Sequence, residues 1–165
     1  MPDTTLELSA ALAQMQAELQ MLQDKLEIRE LTARYNNCFD DGDAEGDAAT
    51  FTENGMMVHE DGSSHGGREA FIAACRLYDG QIVHSTTDAR IEVDGDRATQ
   101  ICTFVSYRRS ADRSRNEFSF TGRYYDELER TPDGWRFVRR RSVRDRSPSP
   151  YADITSGVRG SAPRQ

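Results

Sequence analysis

The chain has 165 residues and a formal net charge of -7, with 21 Lys and Arg against 28 Asp and Glu. That length suits one domain with room for a core and a pocket of small-molecule size, and the acidic balance excludes a general attraction to nucleic acid or to an anionic membrane. No apolar run approaches the roughly 18 residues that span a bilayer, and the start, MPDTTLELSA, is acidic where a signal peptide would be basic, so a cytoplasmic protein is expected.

From Thr5 to about Phe39 there is no Gly or Pro, and Leu8, Leu12, Met15, Leu19, Leu22, Leu26, Ile28, Leu31 and Tyr35 fall mostly three or four apart. This spacing predicts one long helix. Its first part carries Gln, Glu and Ala between the Leu and Met positions, so it can pack on its own domain or on a partner's helix; both stay open, with an oligomer contact preferred. Gly42 and Gly46 break the pattern, AEGDAATF predicts a short second helix, and Asn54-Gly55 a turn into a strand, MMVHE. Beyond a Gly/Ser loop that carries His65, REAFIAACRLYDG has helical spacing through Phe71, Ala74, Cys75 and Tyr78.

From Gln81 the period changes to two, in QIVHSTTDARIEV, in DRATQICTFVSYRR after the Asp94-Gly95 hairpin signal, in RNEFSFTGRYYDELER, and in WRFVRRRSVRD after Pro132-Asp133-Gly134. Helices followed by a meander of strands predict an α+β fold with an antiparallel sheet packed on helices. The organisation expected is a helical extension over 1–23, a domain over 24–146, and a flexible tail over 147–165, which is rich in Ser, Pro and Gly. Cys38, Cys75 and Cys102 have no CxxC pairing and are read as reduced, half-buried thiols.

Three histidines narrow the search for chemistry: His59, His65 and His84. A general base near neutral pH is most often His, with a carboxylate to fix its tautomer, and Asp40 can fill that role for His84 if the sheet folds back over the first helix. The residues alone leave this open against a helix-ending Asp40 and an ordinary strand histidine. Asp40 lies about 140° around the helix from Tyr35, so an inward direction would need the helix to unwind near Phe39. His84 shares a strand face with Ile82, Thr86 and Asp88 while Val83, Ile91 and Val93 point the other way, unless a bulge reverses them.

No metal is expected, since the three histidines and Asp40 match no ligand spacing. The arginines from Arg136 to Arg146 are read as strand residues paired with carboxylates, one of them able to reach a pocket mouth. Met56, Met57, Phe71, Tyr78, Phe104, Phe118, Phe120, Tyr124 and Trp135 are read as core and pocket lining. A P-loop, a dinucleotide fingerprint and a GxSxG elbow are absent from the sequence.

The runs LEIRELTARYNNCFDDGD, FTENGMMV, HSTTDARIEVDGDRA and YYDELERTPDGWRFVRR resemble the SnoaL-like family of the nuclear-transport-factor-2-like superfamily, in the branch of bile-acid 7α-dehydratase, scytalone dehydratase and hexachlorocyclohexane dehydrochlorinase. The resemblance implies a cone-shaped, cystatin-like barrel: a strongly curved antiparallel sheet wrapped around N-terminal helices. It implies Asp40 and His84 as the catalytic pair with Tyr35, which stands five residues before Asp40 as the family's tyrosine does. His59 stands where the dehydratases carry a tyrosine, and with Met57, Phe104 and Phe120 it is expected to bind substrate. The activity implied is a cofactor-independent dehydratase or isomerase acting on a hydrophobic polycyclic molecule such as a steroid, terpenoid or polyketide, in a homotrimer. A non-catalytic small-molecule-binding module or a dioxygenase β-subunit-like partner is the alternative, since the fold serves both.

Overall fold

The fold is taken from a computed structural model that describes residues 4–145, so the expected tail lies outside the described residues. With no Gly or Pro between Thr4 and Asp41, helix α1 (Thr4–Asp41) runs unbroken for 38 residues. It stops where Gly42 takes φ +78°. The Asp43 N–H then donates to the Cys38 carbonyl at 2.8 Å and the Gly42 N–H to the Phe39 carbonyl at 3.2 Å, a Schellman ending. Asp43 in turn caps α2 (Ala44–Ala48), its carboxylate accepting from the Gly46 N–H at 3.0 Å.

Strands β1 (Phe51–Val58) and β2 (Ser64–Gly66) lead into α3 (Arg68–Tyr78), and four long strands follow: β3 (Ile82–Asp94), β4 (Arg97–Arg109), β5 (Asn116–Thr131) and β6 (Gly134–Arg144). They form one six-stranded sheet in the order β2-β1-β6-β5-β4-β3. Neighbours run antiparallel except β1 and β6, which are parallel. β2 and β3 remain free edges, so the sheet curves around α1 without closing. This is the expected α+β, cystatin-like architecture, with one parallel pair that the meander reading did not contain. No helix among the described residues is long and apolar enough to cross a membrane.

Two local readings are corrected. Asn54-Gly55 does not precede a strand but lies inside β1, where pairing with β6 jumps from Phe51↔Phe137 to Met56↔Arg139. Glycine is needed there for close approach, because a Cβ on Gly55 would come within 3.0 Å of the Phe137 carbonyl. The loop assigned to His65 is strand β2, with His65 opposite Met57.

Bulges decide which side chains face inward. Between Thr87↔Thr103 and Arg90↔Ile101, β3 carries one extra residue, and Asp88 takes φ +56°. The parity therefore reverses, so that Thr86 faces α1 and Ile91 also joins the core. On β5 the extra residue falls between Phe118 and Phe120, which sends Phe118 to the surface, where Met56 also lies, contrary to expectation. Of the cysteines, Cys38 is half-buried, while Cys75 and Cys102 are fully buried, burial pushing their thiols up to about 11 and about 12.

The core gathers Ile28, Leu31 and Tyr35 of α1 against Phe104, Leu128 and Phe137 of the sheet. At its centre is a charge. Arg140 is 0% exposed and donates to Asp126 from Nε and Nη2, both at 2.8 Å. Its guanidinium lies 4.4 Å from the Tyr35 ring centroid, 4.3 Å from that of Tyr124 and 4.0 Å from that of Phe137. Gln100 extends the network, its Nε2 donating to Asp126 and to the Thr32 hydroxyl, each at 2.8 Å. Replacing Asp126 by Ala would strand the Arg140 charge in the interior, and urea unfolding is expected to show a loss of about 3–5 kcal/mol.

Candidate functional site

Asp40 faces inward without any unwinding, since α1 remains helical to Asp41. The buried face of α1 is wider than its apolar letters suggest, because Ile28 is followed at four-residue steps by the buried polar residues Thr32, Asn36 and Asp40. Each meets a partner on the sheet. Thr32 accepts from Gln100, Asn36 Nδ2 donates to the Thr86 hydroxyl at 2.9 Å, and Asp40 meets His84.

The Asp40 carboxylate holds His84 at two points. Oδ2 accepts from the His84 backbone N–H at 2.7 Å, and Oδ1 lies 2.8 Å from ring Nδ1. With the carboxylate as acceptor, Nδ1 carries the proton, and Nε2 is left as the free ring nitrogen of a residue that lines a mostly apolar cavity. Arg109 Nη1 donates to the Asp40 carbonyl at 3.3 Å and ties the end of α1 to β4.

The cavity has a volume of about 250 Å³. Tyr35, Met57, His59, His84, Phe104 and Phe120 all line it, whereas Asp40 does not and is linked to it only through His84. The exposed Leu77, Tyr78 and Arg144 mark its rim. Tyr35 is buried, and its hydroxyl has no hydrogen-bond partner among the described residues. Burial holds its pKa well above the usual tyrosine value, Tyr124 and Asp47 adding to the effect and Arg140 opposing it, so the hydroxyl stays a proton donor.

His59 is half-buried just beyond β1, with Nδ1 3.3 Å from the Ser142 hydroxyl. His65 is not the exposed loop residue expected. It is half-buried, its ring stacks on His59 at 5.5 Å between centroids, and it meets the edge of Phe71 at 5.4 Å. Burial and the neighbouring His59 lower the His65 pKa, which favours the neutral ring.

The sequence reading also passed over Asp47. It lies on the buried face of α2 with Ala44 and Ala48, at the three- and four-residue spacing that could have revealed it. The residue is 2% exposed and lines the cavity, and its Oδ1 has no partner among the described residues. Burial pushes its carboxyl up to about 7, the Arg140 charge opposing and the Asp43 charge adding. The site thus holds an aspartate gripping a histidine, a buried tyrosine hydroxyl, and a second acid whose carboxyl burial pushes up to about 7.

The SnoaL-like domain family matches residues 20–141. Among solved structures, Rv3472 from Mycobacterium tuberculosis, a protein of unknown function, is 32% identical with a TM-score of 0.72, over 79% of this chain and 76% of that one. An NTF2-like protein with a cystatin-like fold from Novosphingobium aromaticivorans is 31% identical with a TM-score of 0.73, over 87% and 95%. A putative scytalone dehydratase from the same organism is 18% identical with a TM-score of 0.66, over 80% and 89%, a likeness of fold alone. No curated protein matches the chain.

Asp47 carries a measurable stability signature. Its pKa is raised on folding from 3.8 to about 7, so its contribution is full below the unfolded value and is lost as pH rises through about 7. Thermal or urea unfolding of Asp47→Asn is expected to match wild type near pH 4 and to exceed it by about 2–4 kcal/mol at pH 8. Parallel pH profiles for the two proteins would show that the carboxyl is already ionised in the fold.

Proposed function

The chain belongs to the SnoaL-like family, and we propose that it is a cofactor-independent lyase or isomerase in which Asp40 and His84 perform general acid/base catalysis. The observation that carries this reading is the two-point grip of Asp40 on His84, at 2.7 Å and 2.8 Å, which leaves Nε2 as the free nitrogen beside an apolar cavity. Support at the level of the fold comes from the likeness to a putative scytalone dehydratase.

In this mechanism Nε2 takes a proton from a carbon next to a substrate carbonyl. The bonding pair moves onto the carbonyl oxygen as an enolate, which accepts a hydrogen bond from the Tyr35 hydroxyl. Asp40 stabilises the imidazolium through Nδ1–H. When the enolate collapses, either a hydroxyl on the next carbon departs as water with a proton from Asp47, giving elimination, or the imidazolium returns its proton to another carbon, giving isomerisation. Asp47 suits the donor role because its carboxyl is about half protonated near pH 7.

The substrate proposed is a hydrophobic, ring-containing molecule of steroid, terpenoid or polyketide type. A cavity of about 250 Å³ is just below the usual range of roughly 300–1,000 Å³ for drug-sized ligands. One or two rings would be enclosed against Met57, Phe104 and Phe120, and the rest would emerge past His59 and His65. An acidic substituent there would meet Arg144.

The test needs no knowledge of the natural substrate. A bicyclic ketone, α-tetralone, is incubated with the protein in D₂O, and deuterium incorporation beside the carbonyl is followed by NMR. Wild type is expected to accelerate exchange over buffer, with losses of about 100-fold or more in His84→Ala and Asp40→Asn. Tyr35→Phe should cost roughly 10- to 100-fold with ligand binding kept. Binding of the ketone without exchange would leave the cavity a binding module.

A further inference from the structure

We propose that the first part of α1 is a coiled-coil strand whose occupant is a second copy of this chain. Six residues, Leu8, Leu12, Met15, Leu19, Leu22 and Leu26, follow one another at alternating four- and three-residue steps, and all are 57–67% exposed. Alternation of four and three is the heptad pattern, with Leu12, Leu19 and Leu26 at one core position and Leu8, Met15 and Leu22 at the other. At about 100° per residue each set drifts back by about 20° per heptad, the drift that a left-handed supercoil removes. The occupant read from this period is another helix rather than a sheet or a flat surface.

The domain that carries the seam does not cover it. α1 is anchored to its own sheet through Asp24, which is buried, pairs with Arg130 at 2.7 Å and accepts from Trp135 Nε1 at 3.3 Å, and through Ile28, which is 0% exposed. The six seam residues lie between about 160° and 240° around the helix from Asp24, so they point away from the sheet. Over the roughly 27 Å from Leu8 to Leu26 the apolar row faces water.

The flanking residues favour a parallel, in-register partner. In that arrangement Lys25 of one strand meets Glu30 of the other, Glu18 meets Gln23, and Ala11 meets Gln16, so no like charges are opposed. Lys25 is half-buried and Glu30 exposed, and neither has an ion-pair partner among the described residues. Since the seam is opposite the sheet-facing side of α1, the domains of such a pair lie on outer sides and do not collide.

Light scattering on the size-fractionated full chain tests the proposal. Wild type is expected at a multiple of 18.6 kDa. The double variant Leu19→Glu/Leu22→Glu should fall to a lower multiple with an unchanged near-ultraviolet circular dichroism spectrum, because both side chains are exposed in the single chain. A monomeric wild type, or a variant whose mass does not change at equal concentration, overturns the proposal. Lys25→Glu is expected to weaken association by about two- to fivefold, and adding Glu30→Lys to restore it. Failure of that restoration overturns the parallel pairing.

Discussion

The guanidinium of Arg140 joins the sheet, the first helix and the wall of the cavity. Removing such a charge from water costs several kcal/mol unless its donors and its field are met. Here Asp126 takes two of its N–H groups at 2.8 Å, and three aromatic faces lie within 4.4 Å of it. Two of those rings, Tyr35 and Tyr124, also line the cavity, so the charge lies directly behind its wall. Its field opposes the rise in the Tyr35 and Asp47 pKa values that burial imposes. The same residue that holds the core together therefore tunes the acidic groups that line the cavity.

A second constraint acts along α1. Thr32, Asn36 and Asp40 are polar residues on a buried face, and each would be costly to desolvate without a partner. Their partners Gln100, Thr86 and His84 sit on adjacent strands β4 and β3. This row defines the rotation of the helix against the sheet more tightly than Leu and Ile alone, because hydrogen bonds depend on direction and apolar contacts do not. Asp40 is the last member of the row, and its second oxygen takes the backbone N–H of His84 at 2.7 Å. His84 is thus positioned through its main chain as well as its ring.

Element order and type were legible in the sequence because helix and strand periods are visible in apolar letters. What stayed hidden had other physical causes. Asp40 was judged against a stripe of apolar residues, and a buried face that includes Thr32 and Asn36 does not show in such a count. The face of β3 depended on one bulge at Asp88, and a single inserted residue reverses every side chain beyond it. Arg140 stands within a run of three arginines, and only the pairing of β5 with β6, Asp126 opposite Arg140, separates it from exposed Arg139 and Arg141. His65 was read from its Gly and Ser neighbours, although three residues are enough to pair with β1 and turn its ring inward.

The long helix gives two parts of the molecule a common frame. Leu26 ends the exposed seam and Asp40 holds His84 beside the cavity, about 21 Å further along the same rod. Asp24 and Ile28 lock the rotation at one end, and the polar row locks it at the other. The seam and Asp40 therefore keep a constant relation, with the seam turned away from the sheet that encloses the ligand space. The rim at Leu77, Tyr78 and Arg144 belongs to α3 and β6, not to α1. A partner helix seated on the seam would leave that opening of the cavity uncovered, because the two lie on separate faces of one rigid element.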